Sequence, residues 1–132
     1  MEIEYKINTL PELTQIINVY NSSGINRPIR DLDRIKQMYE HANLIITAWD
    51  DDTLVGIARS LTDFCYCCYL SDLAISREYQ HRGIGKKLVE LTKEEVGEKT
   101  SLILVSAPTA TDFYVNIGME HIESGFMIKR KG

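Results

Sequence analysis

No apolar run in this 132-residue chain approaches the roughly 20 residues that a membrane-spanning helix requires, so no membrane partner is expected. The amino end, Met1-Glu2-Ile3-Glu4-Tyr5, has neither the basic start nor the apolar stretch of a secretory signal. A cytoplasmic location is the expectation. Positive charge is in short supply: 15 Lys and Arg face 19 Asp and Glu, for a formal net charge of -4. That balance argues against a dedicated nucleic-acid binder, which would carry a basic face, and it mildly favours a cationic substrate. Cysteine is scarce and clustered in Cys65-Tyr66-Cys67-Cys68. An odd number so close together makes no disulfide framework, and no second pair of ligands completes a zinc site. No metal is expected. On a strand, Cys65 and Cys67 would share one face and Cys68 the other, as packed thiols. Asp50-Asp51-Asp52 lacks the glycine and later glutamate of an EF-hand loop and reads as a solvated turn. Linkers, repeats and low-complexity tracts are also missing, so a single domain over 1-132 is expected.

What is present is an alternation of short strands and amphipathic helices. Ile3 to Ile7 alternates as a strand, and Thr9 or Leu10 is placed to cap a helix begun by Pro11. Leu13, Ile16, Ile17 and Tyr20 form its apolar stripe, and Asn21 to Gly24 ends it. Asp31 or Asp33 can cap a second helix with a stripe of Leu32, Ile35, Met38 or Tyr39, and Ala42. Leu44 to Trp49 and Thr53 to Leu61 read as a hairpin, and Cys67 to Ile75 adds a third strand to the meander. A helix from about Gly83 to Glu95 has Ile84, Leu88 and Leu91 on its inner face. Leu102 to Ala107 reads as a buried strand, and Phe113, Tyr114 and Ile117 lie on a short helix. Met119 to Ile122 and Ser124 to Lys129 are expected as a closing pair of strands.

The informative unit is strand, glycine turn, helix: Leu70 to Ile75, then Gln80-His81-Arg82-Gly83-Ile84-Gly85-Lys86. A helix N-terminus offers unpaired N–H groups and a partial positive charge, which suit a phosphate. Glycine lets the backbone approach such an anion closely. The spacing matches neither a dinucleotide fingerprint, whose third glycine is absent, nor a P-loop.

Gln80-x-x-Gly83-x-Gly85, preceded by Asp72-Leu73-Ala74-Ile75, resembles the acetyl-CoA signature of the GNAT superfamily of N-acetyltransferases. Phe113-Tyr114-Val115-Asn116-Ile117-Gly118-Met119 is similar to that family's Phe-Tyr-x-x-x-Gly-Phe segment, with Met119 in place of the final Phe. The resemblance implies an α/β (α+β) fold with a mixed, mostly antiparallel central sheet, flanking helices, and splayed fourth and fifth strands. It implies acetyl-CoA as co-substrate and transfer of its acetyl group to a primary amine in a ternary complex. Leu73, Ala74 and Ile75 would run beside the pantetheine arm, and Gln80, His81, Arg82, Gly83, Ile84, Gly85 and Lys86 would hold the pyrophosphate. A bulge near Asp72 and Leu73 would open the sheet for the thioester.

On the same resemblance Tyr114 is the candidate general acid for the leaving thiolate. The family's usual Glu on the fourth strand has no counterpart here, so Asp72, Asp63 or water would act as base. An Asn common in relatives after the fifth strand is also missing from Ala107-Pro108-Thr109-Ala110. Acceptor selectivity would come from Asn21, Arg27, Arg30, Tyr39, Tyr66 and Tyr69, with Arg27 or Arg30 able to grip a carboxylate. The acceptor would be a small molecule or peptide amine, and an exposed last strand could pair across a homodimer. A non-catalytic acyl-CoA-binding module is the alternative.

Overall fold

A computed structural model describes residues 2–132. Among these, five strands form one sheet in chain order: β1 (Glu4–Ile7), β2 (Leu44–Asp50), β3 (Thr53–Thr62), β4 (Cys67–Ile75) and β5 (Ser101–Ile103). The first three pairings are antiparallel and β4–β5 is parallel, so the sheet is mixed and mostly antiparallel, as the family resemblance implies. Helices α1 (Leu13–Ser23) and α2 (Leu32–His41) cover one face. Helix α3 (Ile84–Val96) covers the other, and α4 (Thr111–Asn116) follows β5.

Two apolar clusters hold these layers. Leu44, Ile46, Ala48, Val55 and Ala58 meet Leu88 and Val89 of α3. Ile45, Trp49, Leu54 and Ile57 meet Ile16, Val19, Tyr20 and Ile35 of α1 and α2. β4 changes sides part-way. Cys68 and Leu70 pack towards α3, and so do Leu73 and Ile75, whereas Ala74 faces α1 and α2. The cause is a bulge: Asp72 pairs with Arg59 and Leu70 with Ser60, which leaves Ser71 as the extra residue. One unpaired residue shifts the period-two alternation and re-aims every side chain after it. Asp72 is thereby turned to the α1–α2 side.

Several expectations need correction. α1 starts at Leu13 with Glu12, not Thr9 or Leu10, at the cap position, and no side chain bonds that cap. β5 is only three residues long, because its pairing with β4 stops at Tyr69↔Ile103 and residues 104–107 diverge. Residues 119–132 form no strand pair, and Phe126 (98%) and Ile128 (100%) are exposed. An alternating segment becomes a strand only where a backbone partner lies alongside, and the early end of β5 removes one. Of the two candidate caps on α2, Asp31 is used, accepting the Arg34 N–H at 3.1 Å.

Candidate active site

The divergence of β4 and β5 opens a cleft of about 830 Å³. One wall is β4, from Leu70 and Ser71 through Leu73, Ala74 and Ile75. The other is the segment from Leu104 to Ala110 with Phe113 and Tyr114 of α4. Gln80, His81, Gly83, Ile84 and Gly85 close one end. Ser23, Gly24, Ile25, Asn26 and Arg27, from the α1–α2 connection, border the cleft as well.

The closing turn has an unusual backbone conformation. His81 (φ 64°) and Gly83 (φ 83°) are both left-handed, separated by one residue, so successive N–H groups converge instead of alternating. Gly83 caps α3, and the first-turn N–H groups of Ile84, Gly85 and Lys86 have no carbonyl four residues back within the helix. A Cβ on Gly83 would meet nothing within 4 Å, so the space beside it is open. A Cβ on Gly85 would instead lie 3.1 Å from Cζ of Phe113, so glycine there lets α4 pack against the turn. Gln80 donates its Nε2–H to the Ile75 carbonyl at 3.0 Å, tying the turn back to the end of β4. Arg82 lies over the Tyr79 ring, 5.4 Å from its centroid, and Lys86 is 4.0 Å from Glu90; neither side chain borders the cleft.

Tyr114 lines the cleft with its ring edge-to-face against Phe113, at 5.0 Å and 77°. Its hydroxyl makes no hydrogen bond to any described residue. Burial pushes its pKa above 10.0, with the positive charge of Arg27 opposing, so the phenol is protonated through neutral pH.

Asp72 has a different character. It is 0% exposed and accepts Arg59 Nε–H at 2.7 Å and Arg27 Nε–H at 2.6 Å. Tyr20 donates to the same carboxylate at 2.6 Å, and the Tyr20 and Tyr39 hydroxyls are hydrogen-bonded to each other. Arg59 also reaches Ser71 Oγ (2.9 Å) and the Met38 carbonyl (3.3 Å), and Arg27 reaches the Ser71 carbonyl (2.6 Å). Burial alone would raise the Asp72 pKa, but the Arg59 bond and charge, with Arg27, outweigh it and hold the group below the usual carboxylate range. Such a carboxylate is anchored and accepts a proton poorly. Burial of both phenols raises their pKa values, so they serve as neutral donors.

Asp63 lies outside the cleft. Its Oδ1 accepts the backbone N–H groups of Cys65, Tyr66 and Cys67 at 2.8–3.0 Å, and the first of these bonds leads in lowering its pKa. Arg27 lines the cleft; Asn21, Arg30, Tyr39, Tyr66 and Tyr69 do not. Cys65 and Cys67 are exposed and Cys68 is buried, all as free thiols. Among the described residues no group of three or more His, Cys, Asp and Glu is placed to hold a metal ion, and no helix is long and apolar enough to cross a membrane.

The family model "Acetyltransferase (GNAT) domain" matches residues 17–129. The chain belongs to the GNAT acetyltransferase family. It is 33% identical over 72 residues to "GCN5-related N-acetyltransferase 2, chloroplastic" of Arabidopsis thaliana, covering 51% of the chain and 27% of that relative. It is 30% identical over 115 residues to "Uncharacterized N-acetyltransferase ycf52-like" of Prochlorococcus marinus, covering 83% of the chain and 61% of that relative. The chain therefore spans less than two thirds of the length of either. A probable acetyltransferase of meticillin-resistant Staphylococcus aureus has the same fold, with a TM-score of 0.82, 19% identity, and coverage of 98% and 100% of the two chains. So does an aminoglycoside N-acetyltransferase solved in complex with CoA, with a TM-score of 0.74, 13% identity, and coverage of 99% and 96%.

Proposed function

We propose that this domain transfers an acetyl group from acetyl-CoA to the amine of a small molecule by direct attack, without an acyl-enzyme. The observation that carries the reading is the Tyr114 hydroxyl, unbonded and protonated, on the cleft wall opposite β4. The cleft suits the co-substrate in shape and chemistry. Its volume falls within the ~300–1,000 Å³ of small-molecule sites, β4 presents backbone unpaired with β5 beyond Tyr69, and the turn at Gly83–Gly85 offers the anion cradle. That a neighbour with this fold was solved in complex with CoA supports CoA as the class of co-substrate.

Acetyl-CoA, when bound, supplies an activated acyl group on a thiol leaving group. Leu73, Ala74 and Ile75 would pair with its extended arm as an added strand, and N–H groups from His81 to Lys86 would hold its pyrophosphate. The amine attacks the thioester carbonyl, the new C–N bond forms and the C–S bond breaks. Tyr114 then delivers its phenolic proton to the departing sulfur. Asp72 anchors Arg27 and Arg59 beside the bulge and is not assigned the base. With Asp63 outside the cleft, the attacking amine loses its proton to water.

The missing cleft carboxylate is also the one observation favouring a module that binds acyl-CoA without turnover. Supplying acetyl-CoA with a broad amine panel and following thiol release tests the choice. Amine-dependent release supports transfer; CoA binding with no release on any amine would favour the module.

A further inference from the structure

The α1–α2 connection, residues 24–31, borders the cleft from Gly24 to Arg27. Its backbone hydrogen bonds are local: Ile25 N–H to Ser23 Oγ at 3.2 Å, Ile29 N–H to the Arg27 carbonyl at 2.8 Å, and Asp31 N–H to the Pro28 carbonyl at 3.0 Å. Ile25 and Ile29 pack against the apolar cluster on that side, but such packing is non-directional and fixes no orientation. Among the described residues, every hydrogen bond from this connection to the sheet comes from one side chain, that of Arg27.

Arg27 uses all three guanidinium nitrogens. Its Nε–H donates to Asp72 Oδ1 at 2.6 Å and Nη2 to the Ser71 carbonyl at 2.6 Å. Nη1 donates to the Asn26 carbonyl at 2.7 Å, which folds the fork against its own loop. Ser71 is the extra residue of the β4 bulge, so the strand is gripped where it re-aims its side chains. The receiving carboxylate is itself fixed, because Arg59 and Tyr20 hold its other oxygen at 2.7 and 2.6 Å. Arginine's planar set of donors serves several acceptors at once; the single ammonium of a lysine does not.

The tether lies away from the glycine turn. Ser71, which Arg27 holds, and Ile75, where Gln80 ties in the turn, are four strand residues apart, or ~13 Å at ~3.3 Å each. The positive charge of Arg27 opposes the upward shift that burial gives Tyr114. Arg27 and the candidate acid therefore share one end of the cleft, the end left for an acceptor.

Resting on the acyl-transfer reading, we infer that Arg27 is a positioning residue: its grip on Ser71 and Asp72 holds residues 24–27 against β4 as the wall that seats the acceptor amine. In this role Arg27 moves no proton and acts through the loop it holds. A wall in place only a tenth of the time would weaken the apparent acceptor affinity about tenfold. The glycine turn and the β4 edge from Leu73 to Ile75, which would carry the cofactor, do not depend on it.

Arg27→Lys tests this, since it keeps a positive charge beside Asp72 and loses the fork. The acceptor is whichever of ethanolamine, spermidine and kanamycin the wild type acetylates fastest. The variant is expected to raise the KM of that amine about tenfold, with a far smaller change in kcat and an unchanged Kd for CoA. Amide hydrogen exchange should quicken in residues 24–31 and hold steady in α3. Arg27→Ala should behave likewise, and guanidinium chloride at tens of millimolar should restore its amine KM, which a general loss of stability would not allow. Wild-type kinetics in Arg27→Lys, a loss in kcat alone, weakened CoA binding, or exchange that quickens throughout the chain would overturn the inference and leave transfer intact. Absence of turnover by the wild type on every amine would instead remove the transfer reading. In that case quickened exchange confined to residues 24–31 in Arg27→Lys would keep Arg27 as the residue that positions this wall, and unchanged exchange would remove both.

Discussion

Replacing Asp72 by Asn removes a negative charge from between two guanidiniums and keeps the side chain's shape. Arg59 is 8% exposed and cannot turn to water, whereas Arg27 at 25% exposure can do so in part. Breaking a buried ion pair by removing one partner costs ~3–5 kcal/mol, and the exposure of Arg27 places this case at the low end, about 3 kcal/mol. For a chain of this size that corresponds to a fall in Tm of roughly 10–15 °C. Urea and thermal unfolding followed by circular dichroism measure it. The pH dependence has a definite sign. The Asp72 pKa is lowered from 3.8 in the folded state, so its contribution is fully present above that pH and is lost as pH falls through the folded value. The gap between wild type and Asp72→Asn should be flat near neutrality and shrink in acid. Asp72→Leu with Arg59→Met should cost less than Asp72→Asn, since the most buried unpaired charge is then gone. A loss below about 1 kcal/mol, or a variant of normal stability whose turnover is abolished, would refute the anchor role and return Asp72 to candidacy as base.

Tyr114→Phe should lower kcat about 10²-fold or more with acetyl-CoA affinity unchanged in a binding titration; an unaltered rate, or lost binding, would remove Tyr114 as the acid. Because burial raises its pKa above 10.0, Tyr114 should cause no decline of kcat in the pH–rate profile below pH 10. Gly83→Val places a β-branched residue at φ 83°, at a cost of about 1–3 kcal/mol. It should also weaken CoA binding by filling the phosphate's space, so normal affinity would undo the placement of the pyrophosphate. Gly85→Ala should displace the Phe113 ring, 3.1 Å from the new Cβ, and with it Tyr114; the expected signature is a lower kcat, and wild-type kinetics would show that the ring gives way freely.

The parts of the fold that depend on local pattern were legible in the sequence. Leu13, Ile16 and Tyr20 mark α1 at helical spacing, and Leu44 to Trp49 mark a buried strand. The glycine turn was legible too, because a helix that starts at a glycine cap has a local physical meaning. What escaped was tertiary. The partners of Asp72 come from positions 20, 27 and 59, three separate segments, and no spacing rule brings them together. Tyr20 read as one more apolar residue of a stripe, yet its hydroxyl donates to the carboxylate. A charged residue inside the strand run Leu70 to Ile75 was the available signal, since a buried acid demands partners. The closing strands failed for the complementary reason: residues 119–129 have the alternation of strands, but β5 ends at Ile103, and alternation supplies no partner.

Initial rates with acetyl-CoA and an accepted amine both varied test the central claim most directly. The cysteines lie outside the cleft lining, and attack within a ternary complex predicts double-reciprocal lines that intersect, with no free thiol released before amine is added. Parallel lines accompanied by a burst of thiol without amine would mean a covalent acyl-enzyme, and would contradict direct transfer at this cleft.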